Sequence, residues 1–395
     1  VPVQLTQNTP KHRAYLAVSW AIAAIVLVSI PALFGQMFGL IAPVNIDRMT
    51  ETMCYAVAIL GLNLLIGFSG QLSIGHSAFV GIGMYTTAIL VADHDWPYLL
   101  TFVVATPLCF LVGVGLGIPA LRIKGLYLAV VTLAVGAAFP TLVRKFESVT
   151  GGSNGLVTKS KWNPPSWTPW ERNDYGRSTW MYFTILAITV VMFVLARNLI
   201  RSRAGRAVMA IRDNEISASV AGVNLPLYKT MIFGVSAAFA GVSGVMFTMY
   251  KQQATDTFPA IDLSIILVVG LVVGGAATIS GAVPGALLLV WVVRTMRDAA
   301  SSGTLKVFGI ELFSVDFLKK REGGGQVATI LLGLLLLVVV FVLPGGTIDG
   351  LRRLRAKFVQ VLPNPSWLAH RQQAAASPAS AGSPTGSSGQ PDPVR

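Results

Sequence analysis

WMYFTILAITVVMFVLARNLIRSRAGRAVMAIRDNEISASVAGVNLPLYK, residues 180–229, is the stretch that decides the class of fold. Its first part, 180–199, is a nearly unbroken apolar run, and about 20 residues rising ~1.5 Å each cover the ~30 Å hydrocarbon core of a bilayer. Its second part, 197–229, is basic and polar, and Arg201, Arg203, Arg206 and Arg212 hold its start at the cytoplasmic face by the positive-inside rule. Local signals inside that loop spell a short helix. Asn214 suits an N-cap for a helix beginning near Glu215, Gly222 can end it in the left-handed conformation, and Pro226 opens the next apolar run, where a missing N–H costs nothing. A short polar helix laid between two apolar spans predicts a channel or transporter subunit with a handle for a soluble cytoplasmic partner. The plain alternative is a solvated basic loop.

Outward from this stretch, further apolar runs lie at 14–34, 53–68, 74–92, 98–118, 126–143, 225–250, 261–279, 282–293 and 327–343. Together they predict an all-α, polytopic transmembrane helical bundle of about ten spans, with eight to ten as the range because 53–68 and 282–293 are short for an untilted helix. The composition agrees: 53% of the residues are hydrophobic and only 12% charged, which suits a chain whose solvent is mostly lipid. The net charge of +13 does not point to nucleic acid, because the basic residues gather in loops and tails beside apolar runs, where topology and anionic lipid account for them. Lys11 and Arg13 before the first run, and Arg352, Arg353, Arg355 and Lys357 after the last, place both termini in the cytoplasm. Lys319, Lys320 and Arg321 resist that scheme. The expected organisation is a cytoplasmic segment at 1–13, a membrane domain at 14–350 carrying the cytoplasmic loop 200–226, and a tail at 351–395. That tail is basic at first and, from Gln372, rich in Ala, Ser, Pro and Gly, a composition that stays disordered.

Glycine is placed for packing. Gly113/Gly117, Gly270/Gly274 and Gly281/Gly285 have the GxxxG spacing that lets two helices approach closely. Pro107, Pro119 and Pro284 are expected to kink or end their helices, and residues 274–285 read as two apolar helices joined by a break. Such a break is tolerated at membrane depth only where protein or a water-filled cavity covers it.

Residues 63–79, NLLIGFSGQLSIGHSAF, set polar groups inside an apolar passage. Asn63, Gln71, Ser73, His76 and Ser77 must face the bundle interior or a pore, so they are candidates for lining a translocation path. The competing reading is that they knit helices together or satisfy a break. No acid and nucleophile are arranged around His76, which argues against catalysis. Cys54 and Cys109 are far apart, with no CxxC and no His-rich neighbourhood, so no metal or redox site is expected. Scarce charge in the middle of the spans argues against a proton- or ion-driven carrier, and the chain has no GxxxxGK[ST] loop with which to bind ATP itself.

Several stretches resemble one family: GLNLLIGFSGQLSIGHSAFVGIGMYTTAIL at 61–90, KGLYLAVVTLA at 124–134, TGGSNGL at 150–156, RSRAGRAVMAIRDNEISASVAGVNLPLYK at 201–229 and VVGGAATISGAVPGALLL at 272–289. In order and spacing they are similar to the permease subunits of bacterial ABC importers for branched-chain amino acids, of the LivM type, over residues 55–343. The resemblance implies a non-catalytic translocation subunit in the bacterial inner membrane. It also implies a LivH-like companion permease, two cytoplasmic ATPase subunits and a periplasmic or lipid-anchored substrate-binding protein. This chain then needs no cofactor, and ATP with magnesium is bound by the ATPases. It further implies that Arg212, Asp213, Glu215, Ala218 and Gly222 form the coupling surface. The usual Glu-Ala-Ala before a glycine reads Glu215-Ile216-Ser217-Ala218 before Gly222 here, and the glycine-rich break reads Gly-Gly-Ala-Ala-Thr. Leucine, isoleucine and valine are the expected cargo, with urea or short amides as the alternative within the family. A secondary carrier and a membrane enzyme are the readings outside it.

Overall fold

The computed structural model describes residues 3–6, 42–121, 126–158, 162, 176–256, 261–302, 304–307, 310–314, 346–350 and 359–362. They belong to two compact units, residues 1–28 with 352–395, and residues 29–351. In the first unit, β1 (Val3–Thr6) and the last strand, Val359–Leu362, pair in parallel from Val3↔Val359 to Thr6↔Leu362.

The second unit is helical. Its elements are α1 (Ala42–Asn63), continued by a π-turn at Leu64–Phe68, then α2 (His76–Ala92), α3 (Tyr98–Ala120), α4 (Leu126–Lys145) and the single turn α5 (Glu147–Thr150). After these come α6 (Gly176–Arg201), α7 (Arg203–Asp213), α8 (Glu215–Val220), α9 (Leu225–Lys251), α10 (Ile261–Gly274) and α11 (Ala282–Ser302). Two-residue strands β2 (Leu156–Val157) and β3 (Gln253–Ala254) pair antiparallel, and β4 (Thr304–Val307) and β5 (Ile310–Ser314) form a hairpin with a bulge at Leu305/Lys306.

Among the described residues five helices are long and apolar enough to cross a membrane: Ile46–Phe68, Tyr98–Pro119, Tyr127–Lys145, Arg177–Arg201 and Leu225–Lys251. A sixth span is formed if Asp262–Gly274 and Ile279–Val292, bent by 120° at their junction, count as one. The expected runs at 14–34 and 327–343 lie outside the described residues. The run expected at 74–92 begins its helix only at His76, because residues 70–75 are non-helical, and the expected run 53–68 belongs to a helix that already starts at Ala42. Pro107 sits inside continuous α3, Pro119 stands one residue from its end, and Pro284 lies in the first turn of α11.

The helices divide into inner and outer sets. Of the apolar windows, 89% of that in α1 and 83% of that in α9 is buried, against 22–28% in α3, α4 and α6. Leu99, Val103 and Leu111 on α3 and Val190, Val191 and Val194 on α6 are exposed, as expected of surfaces that meet lipid. Buried hydroxyls bind the inner set together: on α9, Ser236 donates to Gly61 O (2.7 Å), Ser243 to Cys54 O (2.8 Å) and Thr248 to Met84 O (3.1 Å). Without water to compete, such bonds between helices join elements that the hydrophobic effect does not hold together in lipid. The glycine pairs of α10 and α11 pack on each other, since a Cβ at Gly274 would fall 2.1 Å from Gly281 O and one at Gly285 2.1 Å from Gly270 O. Two short helices can therefore fold back side by side.

Candidate functional site

The loop between α6 and α9 is built by three successive side-chain caps. Ser202 accepts from Gly205 N (3.2 Å) to start α7, Asn214 from Ser217 N (2.9 Å) to start α8, and Asn224 from Leu227 N (3.2 Å) to start α9, with Pro226 in its first turn. Gly222, at φ +82°, closes α8. Its N–H donates to Ser219 O (3.0 Å) and that of Val223 to Ala218 O (3.0 Å), the paired bonds of a Schellman ending. On the finished α8, Ala218 turns inward at 4% exposure, while Ile216 and Val220, one turn apart, stand 77% and 85% exposed. The sequence reading did not single out those two; their i, i+4 spacing in a polar loop was the available signal.

The loop grips the bundle through backbone carbonyls. Arg212 donates through one terminal nitrogen to Gly67 O (2.8 Å), at the C-terminal end of the π-turn, and its guanidinium also meets the Asp213 carboxylate (3.2 Å). A helix end leaves carbonyls without intrahelical partners and carries partial negative charge, so a guanidinium is a fitting cap there. Glu215 pairs with Lys229 of α9 (2.7 Å), and Gln71 donates to Lys229 O (3.3 Å) and Ser69 Oγ (2.9 Å). Lys229 and Ser69 were not among the predicted site residues, although Lys229 closes the loop that drew attention.

From Gly67 the connections pass inward. Asn63 donates to Thr278 O (2.8 Å) and accepts from Ala277 N (2.9 Å), so its amide fastens both backbone groups of the turn between α10 and α11. That turn needs fastening, for Ala277 takes the left-handed φ of +60°, a conformation costly for a residue with a Cβ. At the other end of the break, Ile74 N donates to Thr132 Oγ1 (3.0 Å), Ser77 N donates to Ser264 Oγ (2.9 Å), and Ser264 donates to Ser77 Oγ (2.7 Å). Ser73 and His76 are buried. The Ser73 hydroxyl has no partner among the described residues, and neither His76 nitrogen completes a hydrogen bond, although the Ala58 carbonyl faces the ring.

Of the five candidate path residues, then, Asn63, Gln71 and Ser77 are engaged in bonds between elements, and Ser73 and His76 are buried. Gln71 is partly exposed, beside exposed Gly70 and Leu72. Of the five candidate coupling residues, Arg212 and Glu215 reach the bundle, Asp213 supports Arg212, Gly222 shapes the helix and Ala218 packs beneath it. The arrangement joins a surface helix to two breaks in apolar helices through a contiguous series of hydrogen bonds. Among the described residues no group of His, Cys, Asp and Glu could hold a metal ion.

The family described as branched-chain amino acid transport system / permease component matches residues 45–340. The high-affinity branched-chain amino acid transport system permease protein LivM of Salmonella typhimurium is 32% identical over 289 residues, 67% of this chain and 67% of that protein. LivM of Escherichia coli is 30% identical over 285 residues, with the same coverage of both. The permease protein LivH of Escherichia coli is 25% identical over 253 residues, 62% of this chain and 82% of that protein. No solved structure matches the chain.

Proposed function

The chain belongs to the branched-chain amino acid transport system permease family, a family of multi-pass membrane proteins, and on that premise we propose that it is a permease subunit of an ATP-driven importer for leucine, isoleucine and valine. In this reading it carries no catalytic residues and no cofactor. Two ATPases bind ATP with magnesium at the cytoplasmic face, a LivH-like permease is its companion, and a binding protein delivers cargo from outside. The membrane is the bacterial inner membrane, with the α7–α8 end of the bundle in the cytoplasm.

The observation that carries the proposal is the bond from Arg212 to Gly67 O, because it fixes the surface helices to the end of a transmembrane helix. A soluble motor seated on the exposed Ile216 and Val220 moves α8. Arg212 and the Glu215–Lys229 pair pass that movement to the π-turn and to Gln71, and Asn63 passes it to the turn at 275–278. Breaks of this kind have few backbone bonds of their own, so their alternative arrangements lie close in energy and a modest bias selects between them. The energy comes from ATP bound elsewhere; this chain converts it into a choice between two arrangements of the path.

The test is uptake of labelled leucine and labelled urea into proteoliposomes holding this subunit, its companion and both ATPases, with the binding protein outside. Leucine accumulation that requires both ATP and binding protein is expected. Urea accumulation without leucine would overturn the cargo, and leucine uptake that persists without the ATPases would overturn the importer.

A further inference from the structure

At the end of the bundle opposite α7 and α8, a cavity of about 550 Å³ opens between the start of α1, the end of α9, the middle of α11, and α10. Its lining is unusual for an apolar bundle, because two carboxylates, Asp47 and Glu51, face two cations, Lys251 and Arg294. Arg294 is tied to Glu51 through Nε (2.6 Å) and to the Tyr250 hydroxyl (3.1 Å), and Glu51 is buried. Among the described residues the Asp47 carboxylate accepts no hydrogen bond and forms no ion pair within 4 Å, although Arg294 and Glu51 both act on it electrostatically. The remaining wall combines Tyr55 and Gln253 with an aliphatic side made of Ile266 of α10 and Leu289 and Val290 of α11.

The four charges cancel. A ligand carrying a single charge would leave one of them uncompensated in a partly desolvated site, and a neutral amide would gain little from any of them. A zwitterion meets both signs at once. Its ammonium finds Asp47 and Glu51, its carboxylate finds Lys251 and Arg294, and an aliphatic side chain meets Ile266, Leu289 and Val290. The volume falls within the range of about 300–1,000 Å³ that holds a small molecule. Ionisable side chains inside a membrane bundle are costly to keep, and mark a ligand route more often than a structural convenience.

We propose that this cavity is a low-affinity subsite for a small aliphatic zwitterion, where the permease receives an amino acid before the path opens. The proposal rests on the cargo assigned above. Because Arg294 and Glu51 already satisfy each other, a ligand must compete with that pair, and occupancy is weak and brief, as a transit site requires.

The experiment measures binding of labelled leucine to the complete complex of both permeases and both ATPases in nanodiscs, without the binding protein. Competitors are 3-methylbutylamine and 4-methylpentanoate, which lack the carboxylate and the amine respectively. Leucine is expected to bind in the millimolar range, each competitor at least tenfold more weakly, and Asp47→Asn to weaken leucine at least tenfold. Ile266→Trp fills the aliphatic side without replacing a charge and is expected to weaken leucine by a similar factor, so a folding defect in one variant leaves the other to decide. Competitors equal to leucine, no measurable binding, or binding unchanged in both variants would overturn the subsite while leaving ATP-dependent leucine uptake, and so the cargo, intact. Uptake of urea and not leucine by the unaltered complex would overturn the cargo and the subsite with it.

Discussion

The two ends of the bundle use their charges differently. At the α7–α8 end, beside the pairs Arg212–Asp213 and Glu215–Lys229, a guanidinium holds a helix-terminal carbonyl and Gln71 holds another carbonyl across the break. At the opposite end charged side chains meet one another: Arg294 with Glu51, and Arg144 with Asp256 at 2.5 Å. A side chain on a carbonyl is a mechanical link, since moving either partner moves backbone. A charge facing a charge fixes a local field, which can discriminate ligands without moving anything. In the proposed function the first end receives force and the second receives cargo.

Mutations can break or sharpen that contrast. The largest effect is expected from Asn63→Ala, which leaves the part-buried Ala277 N–H and Thr278 carbonyl without their partner, at up to about 1–3 kcal/mol for each. Uptake should vanish and the melting midpoint of the purified complex should fall; unchanged melting would show that the turn at 275–278 holds itself. Next, Arg212→Ala should cut leucine taken up per ATP hydrolysed by tenfold or more, with insertion into the membrane preserved. Gly222→Pro should do the same, because proline's φ of about −65° cannot replace +82°. An unchanged ratio in both would mean that force enters the bundle elsewhere.

At the opposite end, Glu51→Gln strips a half-buried guanidinium of its charge partner and should cost about 1–3 kcal/mol, read as a lower melting midpoint, and should weaken leucine binding to the complex. Unchanged leucine binding would remove Glu51 from the subsite. The smallest effect belongs to Glu215→Gln. Its pair with Lys229 is partly exposed, with side-chain exposures of 41% and 16%, and is worth less than about 1 kcal/mol. A loss of no more than about threefold in coupled uptake is expected, recovered when Glu215→Lys is combined with Lys229→Glu.

Local grammar made the short helix between α6 and α9 readable in advance. Asn214, Gly222 and Pro226 act on residues within a few positions of themselves, so their roles survive without knowledge of the rest of the chain. The break around residues 70–75 was readable as polar, but its partners were not. Gln71 finds Lys229, Ser77 finds Ser264 and Asn63 finds Thr278, all more than 150 positions away, and no periodicity encodes such pairings. The charged cavity escaped for a more particular reason. Glu51 precedes the apolar run at 53–68 and Arg294 follows the one at 282–293, so hydropathy assigned both to loops. Helices α1 and α11 in fact extend past those runs and carry both charges onto one cavity.

The sequence by itself determined that this chain is a bundle of apolar helices with a capped, basic handle, because hydrophobic length, helix caps and left-handed glycines depend only on neighbouring residues. The tertiary structure decided which carbonyl Arg212 holds, that Asn63 fastens the turn at 275–278, and that four charges from three helices share one cavity. Those contacts join residues distant along the chain, and only the packing of whole helices, guided by glycine against backbone and hydroxyl against carbonyl, sets which of them meet.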